Sequence, residues 1–545
     1  GPPMTRQRRI KWHGALGLSS AALAMALMAV PAPAQDPLSA IDWLRDNLMR
    51  PEAGAHPISP LMGDEWLQSA ITTRAIDATR PESVGLFSAA RAGLPRNFWG
   101  ATPDTELRSL IAALPVDTLP ALRDLSYRLL LAEFDAPSTP LPAEGQASGN
   151  LTAADRTSAF LAARIDKLVD FGAIDQAAAL LDTLDPTDPG LRLRRFEIAL
   201  LLEQEQRACE AMSDAAQPFP FEPAVIFCKA RQGDWAGAQA QYERARETDA
   251  LGPVYGPLIE HFLDADDHLH NGNTTLDNIR PTRLSPLAWR LLEAIGAPVA
   301  THGLPVAFAH ADLRGTIGWR AQLEAAERLV RSGALPPNHL LGLYTERSAA
   351  ASGGIWERVR AVQRLERALA GGAPETIGEA LLNAWPQIVD GELEVAFSSL
   401  YAEALLEARL DGAALGQAVI AGLLTDNYEQ IALDHPGETA RAQFLTNVAR
   451  GLSPSTTADG DEVLRDPLWA AVAEAFSDEP PVSGATLARL ASGRLGEVVL
   501  LTLISLGDAS DPRVLTDGLA TLRNIGLEDV ARRAALQSLL LERRG

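Results

Sequence analysis

The sequence predicts an all-α protein: an irregular α-solenoid of antiparallel helix pairs following a cleavable N-terminal export signal. Three observations carry that reading. Runs of alternating Val, Ile, Thr and aromatic residues are scarce, while Ala and Leu dominate. Apolar residues recur instead at helical spacing, as at Leu122, Leu125 and Leu129 (i, i+3, i+7). A phrase ending on glycine also recurs where one apolar-periodic run gives way to the next.

The helix signals come with their own punctuation. Ser285-Pro286 has the form of an N-cap followed by a first-turn proline, and Leu287, Leu291 and Ile295 then mark one face. The 37 prolines and 42 glycines fall mostly between such runs, so they delimit helices rather than break them.

The repeated phrase has four copies. The first is Leu168-Val169-Asp170-Phe171-Gly172-Ala173-Ile174, followed by Ala177. The second is Cys228-Lys229-Ala230-Arg231-Gln232-Gly233-Asp234-Trp235, followed by Ala238 and Tyr242. The others centre on Gly333, in Leu329 to Leu335, and on Gly526, in Leu522 to Glu528 followed by Ala531. A glycine ends the first helix because it tolerates the left-handed conformation, and a small Ala on the next lets the backbones approach. Three copies place that Ala five residues after the glycine; the third has Asn338 there, after Pro336. The pattern resembles the turn of tetratricopeptide repeats, best over 158–248 and without an even 34-residue period. Taken whole, the chain resembles the Ala/Leu/Arg-rich exported helical proteins of alphaproteobacteria.

Composition shifts place the boundaries. Residues 1–34 hold a cloning remnant (Gly1-Pro2-Pro3) and the signal, and 35–135 form an N-terminal helical region. A Pro/Ser/Ala/Gly-rich linker spans 136–150, and the repeat-like helices span 151–263. A polar loop at 264–282 leads to a central helical region at 283–450. A second loop at 451–466 leads to C-terminal helix pairs at 467–545. Arrays of this kind bury a continuous core between neighbours, so one body is expected rather than independent globules.

The export signal has three parts. Arg6, Arg8, Arg9 and Lys11 precede an apolar run from Ala15 to Val30, and Ala32-x-Ala34 meets the small-residue rule for cleavage. The run is shorter than the ~20 residues a membrane-spanning helix needs. With no Cys at the cleavage point, a lipid anchor is not expected. The expectation is a periplasmic protein of a Gram-negative bacterium, with no stable membrane insertion after cleavage.

Charge narrows the partners. The formal charge is −22, and removing the signal's four basic residues makes it −26. Such a surface repels phosphate backbones and anionic headgroups, which argues against nucleic acid and membrane surfaces. Lys11, Lys167 and Lys229 are the only lysines. The remaining positive charge is arginine, as a GC-rich bacterial genome would give.

Cys209 and Cys228 lie on successive predicted helices joined by the proline-rich connector Pro218 to Pro223. That geometry, in an oxidising compartment, predicts a disulfide. No redox C-x-x-C is present, and the nearest histidine in sequence is His261.

Other chemistry is thinly signalled. His261, Asp264 and His268 could share a helical face beside Asp266, Asp267 and His270, but the stretch reads as a helix end entering a solvated loop, so no metal is assigned. Ser352-Gly353-Gly354-Ile355-Trp356 reads as an inter-helix turn. No H-E-x-x-H, G-x-S-x-G, Walker or dinucleotide fingerprint occurs, so no catalytic residue and no cofactor are assigned. Arg96, Phe98 and Trp99 are the candidate partner-binding residues, because Trp and Arg are favoured at interface hot spots. The expected function is a non-enzymatic periplasmic scaffold or adaptor for an envelope protein, in envelope biogenesis or flagellar motor assembly. The alternative is a peptidoglycan enzyme or its accessory, as in lytic transglycosylases with helical superhelices; 462–545, however, lacks that family's catalytic Glu and Ser-rich pattern.

Overall fold

The chain divides into two units, 1–39 and 40–545. The computed structural model describes residues 81–138, 153–184, 188–213, 219, 221–264, 284–454, 460–508 and 510–541, all in the second unit. The predicted signal at 1–34, most of the linker 136–150 and most of the loop 264–282 lie outside the described residues, as does 455–459 of the last loop.

The described residues form 24 α-helices, a few 3-10 turns and one two-residue parallel strand pair, Phe87–Ser88 with Ala132–Glu133. The fold is all-α. First come α1 (Asp104–Ala113), α2 (Pro120–Leu131), α3 (Ala153–Asp170), α4 (Ile174–Asp182) and α5 (Pro189–Leu201). Then follow α6 (Glu205–Ser213), α7 (Glu222–Arg231), α8 (Trp235–Glu247), α9 (Gly252–Leu263) and α10 (Pro286–Ala294). After a 3-10 helix at Val306–Leu313 lie α11 (Trp319–Arg331), α12 (Pro337–Glu346), α13 (Ile355–Gly371), α14 (Pro374–Asp390), α15 (Glu394–Glu407) and α16 (Gly412–Leu423). The last are α17 (Tyr428–Asp434), α18 (Ala440–Ala449), α19 (Gly460–Val463), α20 (Pro467–Ala475), α21 (Gly484–Ala491), α22 (Leu495–Ser505), α23 (Pro512–Asn524) and α24 (Glu528–Leu540).

Local chemistry sets these helices as the sequence indicates. Ser285 caps α10 by accepting from the Ala288 amide at 3.1 Å, with Pro286 at the first helical position. Gly172, Gly233, Gly333 and Gly526 all have positive φ, between 74° and 89°. In each case the next residue's amide donates to the carbonyl five positions back, as in Ala173 to Leu168 and Leu527 to Leu522. Ala177, Ala238 and Ala531 are fully buried, so each Ala sits at a close helix approach.

The same turn also occurs where no glycine marks it. Glu203, Asp249 and Glu392 have positive φ, and the amides of Gln204, Ala250 and Leu393 donate to Ala199, Ala245 and Ile388.

Packing follows chain order for most of the length, each helix touching the next. The apolar side chains form three clusters. One centres on α5–α10 and contains both cysteines, and a second runs from α11 to α16. The third joins residues of α1–α4 to residues of α17–α24. An open array keeps its ends apart. Here α24 packs on α2 and α1 packs on α22, so the two ends share a core.

Long basic side chains bind helix ends together. Arg164 of α3 is almost wholly buried and donates to the carbonyls of Leu130 at 2.7 Å and Val84 at 2.8 Å. Lys167 donates to Leu114 at the end of α1, at 3.1 Å. Arg331 of α11 donates to Gly391 at the end of α14, and Arg523 of α23 to Ala475 at the end of α20. Each satisfies carbonyls that a helix C-terminus leaves unpaired, and adds positive charge where the dipole favours it.

Candidate functional site

Cys209 of α6 and Cys228 of α7 are disulfide-bonded, with Cα atoms 5.3 Å apart. Both are buried, and no free cysteine remains among the described residues. The bond ties two helices that otherwise touch only lightly, beneath a core containing Phe196, Phe227 and Ile226.

The predicted partner-binding residues separate. Phe98 and Trp99 are 0% and 2% exposed, which corrects the expectation that their rings face a partner. Phe98 stacks on Phe134 at a centroid distance of 5.0 Å, and Trp99 meets Phe134 and Phe160 edge-on at 5.4 Å. Burying both rings in that cluster outweighs leaving them in water, by roughly 2 kcal/mol or more per side chain. Only Arg96 is exposed, bonded to Asp135 at 3.1 Å. Residues 98–101 do form an interface, but with the chain's own C-terminal helices. The Gly496 amide donates to the Phe98 carbonyl at 3.0 Å, and Ala101 to Gly493 at 3.1 Å.

His261 and Asp264 are described at the end of α9; Asp266, Asp267, His268 and His270 lie outside the described residues. The His261 Nδ1 lies 2.9 Å from the Pro257 carbonyl one turn back, a local bond. At Gly353 and Gly354 the backbone makes the expected turn, and Glu357 accepts from the Gly353 amide at 3.2 Å.

A distinct concavity lies elsewhere. It is an open groove of about 550 Å³ between α20, the segment leading into α21, and α23. Small apolar residues form its walls, among them Pro467, Ala471, Pro481, Val482 and Pro512, with exposed Glu474, Arg513 and Asp517 also lining it. Three helices begin at it, and each is capped by its own side chain: Asp466 accepts from Leu468, Ser483 from Thr486 and Asp511 from Arg513. One donor of each helix start is thus engaged by its cap, and the groove presents apolar surface flanked by charge of both signs. Its volume suits a small ligand or a few residues of an extended peptide.

The clearest perturbed acid is Glu197 on α5. Burial pushes its carboxyl up to about 7, against the opposing pull of Arg194. Arg194 is itself held by Asp166 in a two-pronged pair with both contacts at 2.6 Å. Tyr255 also feels the Glu197 charge, and its hydroxyl lies 2.6 Å from Ser285 Oγ. Sequence spacing gives no sign of this cluster, because its members come from α3, α5, α9 and the α10 cap. Among the described residues no three His, Cys, Asp or Glu side chains are grouped to hold a metal ion. No helix among them is long and apolar enough to cross a membrane.

Comparison with protein-family models, curated proteins and solved structures finds no match to this chain.

Proposed function

We propose that this chain is an exported, non-enzymatic scaffold or adaptor that holds an envelope protein, in cell-envelope biogenesis or flagellar motor assembly. The observation that supports it most is the groove between α20, α21 and α23, open to solvent and built on capped, packed helices. The disulfide is compatible with an extracytoplasmic setting, in line with the signal-like N-terminus. Crosslinking and pull-down from a periplasmic fraction should recover one stoichiometric protein. Ala470→Trp, which fills the groove from a half-buried position, should lose it while keeping the circular dichroism of the parent. A partner retained by that variant would exclude the groove.

A second reading draws on Glu197. A half-buried carboxyl with its proton affinity near neutrality suits a general acid, which a glycan-cleaving enzyme requires. Muropeptide release by the purified protein, lost in Glu197→Gln, would favour that reading over the scaffold.

A further inference from the structure

Helix α2 begins without a cap of its own. Its N-cap residue is Leu119, whose side chain cannot accept a hydrogen bond, and Pro120 follows at the first helical position. The first amide needing a partner is Ala121. It is met by Gln537 Oε1 of the last helix, at 2.8 Å and 416 residues away, in a buried bond. Gln537 is 1% exposed, so an unmet Ala121 amide would be costly only while α24 is docked.

The rest of the α24 interface is light on apolar bulk. Its buried residues are Val530, Ala531, Ala534, Ala535, Leu536 and Gln537, three of them alanines, and Leu539 and Leu540 are only partly buried against the same core. Much of the remaining attachment is ionic. Arg533 reaches Asp124 at 3.2 Å and Asp426 at 3.4 Å, Arg532 reaches Glu429 at 3.5 Å, and Tyr428 donates to Asp529 at 2.8 Å. All four of those carboxylates are 40–52% exposed while Arg532 and Arg533 are 14–16% exposed, so salt weakens these bonds in part. The second contact between the chain ends is also made through glycines: Gly496 lies against Phe98 and Trp99, and Gly493 against Gly100. By contrast α13–α15 bury Val359, Leu365, Leu381, Ile388, Phe397 and Leu405 against one another.

We propose that α24 is a closing strap: it undocks as a unit and frees the α2 N-terminus while α11–α16 stay folded, with Gln537 as its latch. Hydrogen exchange on the intact chain tests this. Amides of 119–124 and 528–541 should exchange together and faster than those of 355–407, and faster again on raising salt from about 50 mM to about 1 M. Gln537→Met, which removes the acceptor but keeps the length, should speed both segments about tenfold. The proposal is overturned if 528–541 exchanges no faster than 355–407, or if 119–124 is indifferent to Gln537→Met. Should Gln537→Met fail to fold, the comparison within the parent chain decides alone.

Discussion

Arg164 shows how this protein uses arginine. Its guanidinium is buried among backbone carbonyls, and burial lowers its proton affinity to about 10, which still leaves it charged near neutrality. Removing it strands the carbonyls of Leu130 and Val84 in the core. Arg164→Ala should cost roughly 3 kcal/mol or more in chemical denaturation, and Arg164→Lys should recover only part, since an ammonium cannot span both carbonyls. Reading the arginines as genome composition thus missed a role: Arg164, Arg331 and Arg523 each close a helix end contributed by another part of the chain. That role is invisible in sequence, because donor and carbonyl are 34 to 60 residues apart. Glu197 gives a pH-dependent prediction. Its folded pKa lies above the unfolded value, so the folded form holds the proton more tightly and stability is lost as pH rises through about 7. Glu197→Gln should therefore raise the thermal midpoint at about pH 8 and leave it nearly unchanged at about pH 4. Equal shifts at both values would mean that the charge of Glu197 is not what burial penalises.

At the scale of elements, the helix turns were the most legible feature. Gly172, Gly233 and Gly526 announce the left-handed residue, and the Ala five positions on announces the close approach. Glu203, Asp249 and Glu392 make the same turn without announcing it, since tertiary packing overrides a cost of about 1 kcal/mol. Arg409 is a further residue of this kind, exposed at φ 54° between α15 and α16. Arg409→Gly should stabilise the chain by about 1 kcal/mol in urea titrations, offset in part by the greater freedom of the unfolded chain. The disulfide was equally legible, because two cysteines on successive helices leave one pairing. Replacing both Cys209 and Cys228 by Ala should cost about 2–5 kcal/mol. Mass spectrometry of unreduced peptides would check the bond itself.

For the whole molecule, local signals say nothing about which ends meet. The motif Arg96 to Gly100 has the residue types of an interface, and it is one, but the surface it meets is α21–α22. Nothing in the spacing pairs residue 100 with residue 493. Contact there is backbone to backbone: a Cβ on Gly100 would stand 2.0 Å from the Gly493 carbonyl oxygen, whereas one on Gly233 would meet nothing within 4 Å. Both glycines have positive φ, so the pair separates conformational strain from collision. Gly233→Ala should cost about 1 kcal/mol, and Gly100→Ala distinctly more. Thermal melts of the two variants would show the difference, and equal losses would mean that the seam yields.

The bond between Ala121 and Gln537 also sets an order of events during biosynthesis. At about 5–20 residues per second, some 20–80 s separate the emergence of α2 from that of its cap. Throughout that interval the N-terminal helices lack their final wall. The nascent polypeptide therefore stays short of this packing until α24 has been made.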